Sequence, residues 1–286
     1  MGSQIHPSEN TETPDLRIVP LHLLVEHEFN DAQRTAPLAA RLKSEDVLKN
    51  PPIVAPLDDD DPRFVVLDGA NRTTALQTLG YAHVLVQVVN YEEPNVMLTT
   101  WHHVIAGIAL DDYMAGMHTI AGLDMERIDL LHARAGLARR DLLAYTICAD
   151  GRVYAARAAA HTIHEQNALL NAMVDTYKDR GRLYRAATDH LYEAHRLYPD
   201  LTGLVVFPRY EASEVLALAR DGELLPTGLT RHLIRGRALR TNYPLAEMRD
   251  AASLEEKNER LREWMRRKLS SKEIRFYGES TFLFDE

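Results

Sequence analysis

The sequence predicts an α+β protein, on three observations. Phe64-Val65-Val66-Leu67 is a short β-rich run ending in Asp68-Gly69, and a helical pattern follows at once, with Ala75, Leu76 and Leu79 on one face and Gly80 as its stop. Val84 to Val89 is a second buried-looking strand, so residues 15–91 form a unit centred on a strand–Gly–helix turn. Farther along, helical patterns at His161–Asp179 and Ser253–Leu269 mix with a strand at Leu204–Phe207, and no internal repeat orders them.

The elements follow in order. Met1 to Pro14 is polar and reads as a mobile tail. Leu16-Arg17-Ile18-Val19 reads as a strand and Leu21–Val25 as one or two helical turns ending in Glu26-His27-Glu28. Leu38–Leu42 has helical spacing and ends near Asp46. Pro51-Pro52 suits the start of the strand Ile53-Val54. Asp58 to Asp61, a block of like charge, reads as a solvated loop. Leu142–Ile147 and Val153–Ala156, around Ala149-Asp150-Gly151, read as a hairpin. Glu211–Ala219 reads as a short helix. Ser253 followed by Glu256 is a capping-box start for the last helix.

Composition bounds the class. The chain has 286 residues, 45% of them hydrophobic, which is enough for a real core and, at about 150 residues per domain, for one or two domains. With 14 Gly and 13 Pro it is neither collagen-like nor low-complexity. A net charge of −9 argues against a general DNA coater, which needs excess Lys and Arg. The single cysteine, Cys148, excludes an internal disulfide and all-Cys zinc sites and fits a reducing cytoplasm. No run approaches the roughly 18 apolar residues of a membrane span, and the N-terminus shows no basic-then-apolar leader.

Three places could carry chemistry. In Asp68-Gly69-Ala70-Asn71-Arg72-Thr73-Thr74, the glycine permits close approach of a ligand, the following helix start favours an anion, and Arg72 offers a planar fork to phosphate. Thr73 and Thr74 add hydroxyls, and Asp68 could hold a metal ion. On the residues alone, a plain capped turn explains the same pattern. Arg231, Arg235, Arg237 and Arg240, with His232 and no acidic residue among them, form a basic cluster suited to a carboxylate or phosphate. Surface ion pairs are the alternative. His161-Thr162-Ile163-His164-Glu165 places two histidines one helical turn apart, but the order matches no standard zinc-protease motif and reads as a structural helix. Cys148 reads as an inert core residue.

The turn, opening a helix with Asp-Gly-x-x-Arg after a strand, resembles the ParB/sulfiredoxin-like superfamily, and within it the free serine kinases. Sulfiredoxin itself fits poorly, because its turn needs a cysteine. Four patterns carry the closer resemblance: Glu26-His27-Glu28 followed by Arg34, Asp68-Gly69-Ala70-Asn71-Arg72, Thr100-Trp101-His102-His103, and Thr230-Arg231-His232 with Arg235 and Arg237. They span residues 16–240. The resemblance implies a ParB/sulfiredoxin-like nucleotide-binding domain over 15–100 and a mixed α/β C-terminal region over 101–286 that completes the substrate cleft.

It further implies a kinase converting free L-serine to O-phospho-L-serine with ATP or ADP and Mg2+. Glu28 would be the general base, with Glu26 as the fallback, and Asp68 a second catalytic residue and metal ligand. Gly69, Ala70, Asn71, Arg72, Thr73, Thr74 and Arg237 would hold the nucleotide phosphates. Trp101, His102, His103, Thr230, Arg231 and His232 would line the serine pocket, with Arg231 and His232 on its carboxylate. The family usually has His where Asn71 stands, and Asn can position a phosphate but not exchange a proton near neutral pH. The competing readings are a ParB-like nucleotide-dependent DNA-binding or regulatory protein, which lacks a basic helix–turn–helix here, and a ParB-like nuclease, which lacks a metal-ligand cluster.

Overall fold

The computed structural model describes residues 13–29 and 32–276, with side chains of 32–34 left aside. The expected tail therefore lies almost wholly outside the described residues, as does the side chain of Arg34. The chain forms two compact units. The first comprises Met1–Val25, Asp31–Met97 and Ile234–Glu286, and the second Glu26–Asn30 and Leu98–Leu233. This division differs from two consecutive domains, because the C-terminal segment belongs with the first unit.

In the first unit the order is β1 (Asp15–Pro20), a 3-10 turn (Leu21–Leu23), β2 (Leu24–Val25), α1 (Ala32–Glu45), β3 (Val47–Leu48), β4 (Ile53–Pro56), β5 (Phe64–Asp68), α2 (Ala70–Thr78) and β6 (His83–Val88). The expected helical turns at Leu21–Val25 thus shrink to one 3-10 turn, and the chain then goes straight into a strand. The sheet order is β1-β6-β4-β5-β2. β1 lies antiparallel on β6, with Ile18 opposite Leu85, whereas β2 is parallel to β5. Asp58, Asp59 and Asp60 are exposed, and Asp61 accepts from the Arg63 amide and guanidinium.

The chain leaves this unit along β7 (Val96–Thr100) and returns along β14 (Thr230–Ile234), and these two strands form a small sheet of their own. The second unit runs β8 (His102–Ala106), α3 (Leu110–His118), β9 (Leu123–Ile128), α4 (Leu130–Ala138), β10 (Ala144–Cys148), β11 (Val153–Ala158), α5 (Ile163–Asp175), β12 (Arg182–Ala186), α6 (Leu191–Leu197), β13 (Leu201–Val206) and α7 (Ala212–Arg220). Its sheet order is β12-β8-β13-β10-β11-β9. The hairpin expected around Gly151 is β10–β11, and Gly151 takes the left-handed conformation its turn needs, φ 83°.

After β14 the chain adds β15 (Tyr243–Pro244), α8 (Leu245–Arg249) and α9 (Leu254–Ser270) to the first unit. α9 begins with the anticipated capping box: Ser253 Oγ accepts from the Glu256 amide, and the Glu256 carboxylate accepts from the Ser253 amide. Asn258 of α9 explains why the C-terminus returns. Its side chain accepts from the Ile18 amide at 2.9 Å and donates to the Ile18 carbonyl at 2.8 Å, satisfying the open side of edge strand β1. Leu245, Met248 and Leu261 complete a core with Ile18, Val66, Leu76 and Leu85, all buried. A separate core of the second unit gathers Val104, Tyr145, Ile147, Leu204 and Val206.

Candidate active site

Two groups of residues emerge, one in each unit. In the first unit, β5 delivers Asp68 and α2 begins immediately after Gly69. Gly69 has φ 95°, and a β-carbon there would lie 2.8 Å from Arg72 Nη2 and 3.0 Å from the Pro52 Cα. Both the backbone angle and the space demand glycine. Arg72 curls back over it and donates to Asp68 Oδ2 at 2.8 Å. Arg237, from the loop after β14, donates to the same oxygen at 2.5 Å. Buried Gln87 holds that loop: its amide donates to the Gly236 carbonyl, and its oxygen accepts from the Ala238 amide. Two guanidinium groups on one carboxylate leave the turn with a net positive charge beside a helix start, which suits an anion.

The remaining turn residues divide. The Thr73 hydroxyl donates to the Gly69 carbonyl and the Thr74 hydroxyl to the Ala70 carbonyl, so both protons are spent on backbone. Thr73 is also buried. These two threonines were expected on the phosphates, but the structure gives their hydroxyls to the helix itself. Arg72 Nε and Asn71 Oδ1 are buried and have no hydrogen-bond partner.

In the second unit, Glu28 lies in a short bridge to Leu225. Its Oε2 accepts from the Gly228 amide at 2.9 Å. Its Oε1 accepts from the Leu229 amide at 3.1 Å, the Thr230 amide, and the Thr230 hydroxyl at 2.5 Å. A carboxylate has about four acceptor positions, two on each oxygen. Oε1 is saturated, and among the described residues Oε2 retains one. Any proton that Glu28 takes from a ligand therefore goes to Oε2.

The Thr230 hydroxyl has a single proton. With that proton on Glu28, His27 Nε2, 2.7 Å from the same hydroxyl, must be the donor to it. His27 is buried and meets His232 edge-to-face at 5.3 Å between ring centres. Thr230 was expected to contact substrate, whereas its hydroxyl and amide both buttress Glu28. His27 carried no separate signal in the sequence beyond its place beside Glu28.

His103 was expected in the serine pocket. The structure instead buries it completely, on β8. Its Nε2 lies 3.1 Å from the Thr227 carbonyl and its Nδ1 2.8 Å from the Tyr177 hydroxyl. A carbonyl only accepts, so Nε2 carries the proton and Nδ1 accepts from Tyr177. Burial keeps the ring neutral and pushes its pKa down to about 3. His103 thus fixes Thr227, and through it the 228–230 amides that hold Glu28. His102 points to the other face of β8, as strand alternation requires. There the Phe207 amide donates to its Nδ1 at 3.4 Å, and burial lowers its pKa to about 4. Thus neither histidine stands beside Glu28.

Along β14, side chains alternate as well. Thr230 and His232 share one side, with Glu28 and His27, and Arg231 takes the other. The Arg231 guanidinium lies over the Trp101 ring, 4.4 Å from its centre, as a cation–π pair. The Trp101 amide donates to the Leu229 carbonyl at 2.8 Å, tying this pair to the same loop. The arginines read as one basic cluster between Arg231 and Arg240 take different partners: Arg231 sits on Trp101 and Arg237 on Asp68. Of the other candidates, His164 pairs with Glu223 at 2.7 Å, and Cys148 is buried, with its thiol pushed up to about 11.

No family model matches the chain. It is 25% identical to an ATP-dependent L-serine kinase, SbnI, of Staphylococcus aureus, over 95% of this chain and 97% of that protein. It is 33% identical to an ATP-dependent L-serine kinase of Staphylothermus marinus over 32% of this chain and 35% of that protein. In fold it is similar to a free serine kinase in complex with AMP, with a TM-score of 0.67 and 16% identity over 86% of this chain and all of the other. The chain is thus similar to an L-serine kinase along nearly its whole length and has the fold of the free serine kinases.

Proposed function

We propose that this protein is a phosphotransferase that phosphorylates free L-serine to O-phospho-L-serine, with ATP as the donor. The kinship along nearly the full length of SbnI supports the reaction. The single observation that carries the mechanism is Glu28, a carboxylate held by three backbone amides and one hydroxyl and, among the described residues, with one acceptor position left on Oε2. A serine hydroxyl is a weak nucleophile at neutral pH, and a fixed carboxylate in reach can accept its proton as the O–P bond forms.

The nucleotide phosphates are assigned to the turn Gly69–Arg72, with Arg72 and Arg237 supplying charge and Asp68 fixing both guanidinium groups. Asn71 keeps a positioning role there. Serine is assigned to the surroundings of Glu28, with His232 nearby on the same side of β14. Among the described residues no group of three or more His, Cys, Asp or Glu could hold a metal ion. Asp68, whose Oδ2 takes both arginines, would hold Mg2+ together with the donor phosphate oxygens. When bound, Mg2+ supplies charge neutralisation on the phosphates. No described helix is long and apolar enough to cross a membrane, and the lone, buried Cys148 suits a reducing compartment such as the cytoplasm.

The test is incubation of the protein with Mg2+, L-serine and either ATP or ADP, with phosphoserine read by mass. Phosphoserine with ATP is the expected result. Its formation with ADP alone would reassign the donor, and its absence with both would remove the kinase reading.

A further inference from the structure

A zwitterionic serine at Glu28 brings a second carboxylate close to the first. Without a cation beside it, that carboxylate would be repelled by Glu28, and the pocket needs a fixed positive group on the Oε2 side. The sequence offers Arg231 for this task, but the structure turns Arg231 to the opposite side of β14, onto Trp101. Arg237 is spent on Asp68 in the other unit.

Arg185 is placed differently. It lies on β12, the edge strand beside β8, and its position pairs with His103 across the two strands. Its guanidinium lies directly over Gly228. A β-carbon at that glycine would sit 2.3 Å from Arg185 Nε, 2.4 Å from Nη2 and 2.6 Å from Cζ. A side chain at position 228 would therefore have to push the guanidinium aside, so the two residues are in direct contact. Gly228 also needs its left-handed φ of 68°. The same residue donates its amide to Glu28 Oε2, the oxygen with the spare acceptor position. Arg185, Gly228 and Oε2 thus follow one another in space. Arg185 is exposed, and among the described residues its guanidinium has no hydrogen bond or ion pair, although the protein carries a net charge of −9. An exposed guanidinium seated on a glycine next to a carboxylate has its donor edge available to a ligand.

Resting on the serine-kinase reading, we infer that Arg185 binds the carboxylate of the substrate serine and sets the requirement for a free amino acid. Peptidyl serine, whose carboxyl is an amide, lacks the group that Arg185 recognises.

The experiment compares wild type, Arg185→Ala, Arg185→Lys and Arg231→Ala with L-serine and L-serinamide as acceptors. Arg185→Ala is expected to raise KM for serine about 10- to 100-fold, the range for loss of a charge-assisted contact, with KM for nucleotide unchanged. Lysine should restore part of the loss. Serinamide should be a poor acceptor for wild type and lose little more in Arg185→Ala, so the coupling between residue and carboxylate appears directly. Arg231→Ala should leave the preference for serine over serinamide intact. Since Arg185 is exposed, the melting temperature of Arg185→Ala should match wild type. If wild type makes phosphoserine and Arg185→Ala keeps its KM for serine, the inference is wrong and the kinase reading stands. The same holds if only kcat falls, which would put Arg185 on the transferring phosphate. If wild type makes no phosphoserine, the kinase reading fails first.

Discussion

Thr230 binds Glu28 twice, through its amide and through its hydroxyl, and both donors fall on Oε1. Nothing else on β14 does this, and it orients the carboxylate so that only Oε2 can accept a further proton. Thr230→Val keeps the shape and removes the hydroxyl. It should lower kcat several-fold while leaving KM for nucleotide alone, and Thr230→Ser should recover most of the loss. Equal activity in the valine variant would show that Glu28 is oriented by the backbone amides alone.

Glu28→Gln removes the proton acceptor and also introduces a donor opposite donors. The glutamine oxygen can serve the three donors on the Oε1 side, but its NH2 then faces the Gly228 amide, which needs an acceptor. Turnover should drop about 100-fold or more. Thermal stability should fall too, which a purely catalytic residue would not show. Calorimetry with ATP should find unchanged affinity, and a variant with full turnover would exclude Glu28 as the base.

At the phosphate turn, Gly69→Ala forces a β-carbon against Arg72 and the Pro52 Cα at φ 95°. The strain should cost about 1–3 kcal/mol and displace Arg72, weakening nucleotide binding. Arg72→Ala removes the charge without the strain and should weaken nucleotide binding about 10-fold at little cost in stability. Isothermal titration with ATP and a denaturation curve separate the two. Tight binding by Arg72→Ala would leave the turn with a structural role only.

His102 and His103 set a pH dependence. Both rings are neutral in the folded protein, with values lowered by burial to about 4 and about 3 from an ordinary 6.5. Between those values and 6.5 the unfolded chain binds more protons than the folded one, so stability falls as the pH falls through that window. It is fully present above about 6.5 and unaffected by these two groups at higher pH. The melting temperature should therefore decline from about pH 6.5 downwards. His103→Gln, which removes the titration of the more deeply buried ring, should show a shallower decline from a lower starting point. An unchanged slope would mean that His103 is not held neutral.

What the sequence by itself determined was local. The strand–Gly–helix turn at Phe64–Thr78 was legible because a β-rich run, a glycine and a helical spacing of apolar residues follow one another within fifteen or so positions, about the reach of local pattern. The α9 cap at Ser253 and Glu256 and the hairpin at Gly151 were legible for the same reason: each is settled by hydrogen bonds between residues a few positions apart. Glu28 stood out only through a motif, since a glutamate after a short turn is ordinarily a surface residue. The tertiary structure alone decided what surrounds it. Gly228 and Thr230 lie about two hundred residues from Glu28, and no periodicity links them. The return of α9 to edge strand β1 depends on Asn258 finding the Ile18 backbone across 240 positions. Strand alternation split the adjacent pairs His102-His103 and Arg231-His232 onto opposite faces, so residues that read as one motif do different work. Arg185 carried no signal at all, because an arginine on an exposed strand edge is unremarked until a glycine from another loop is found beneath it.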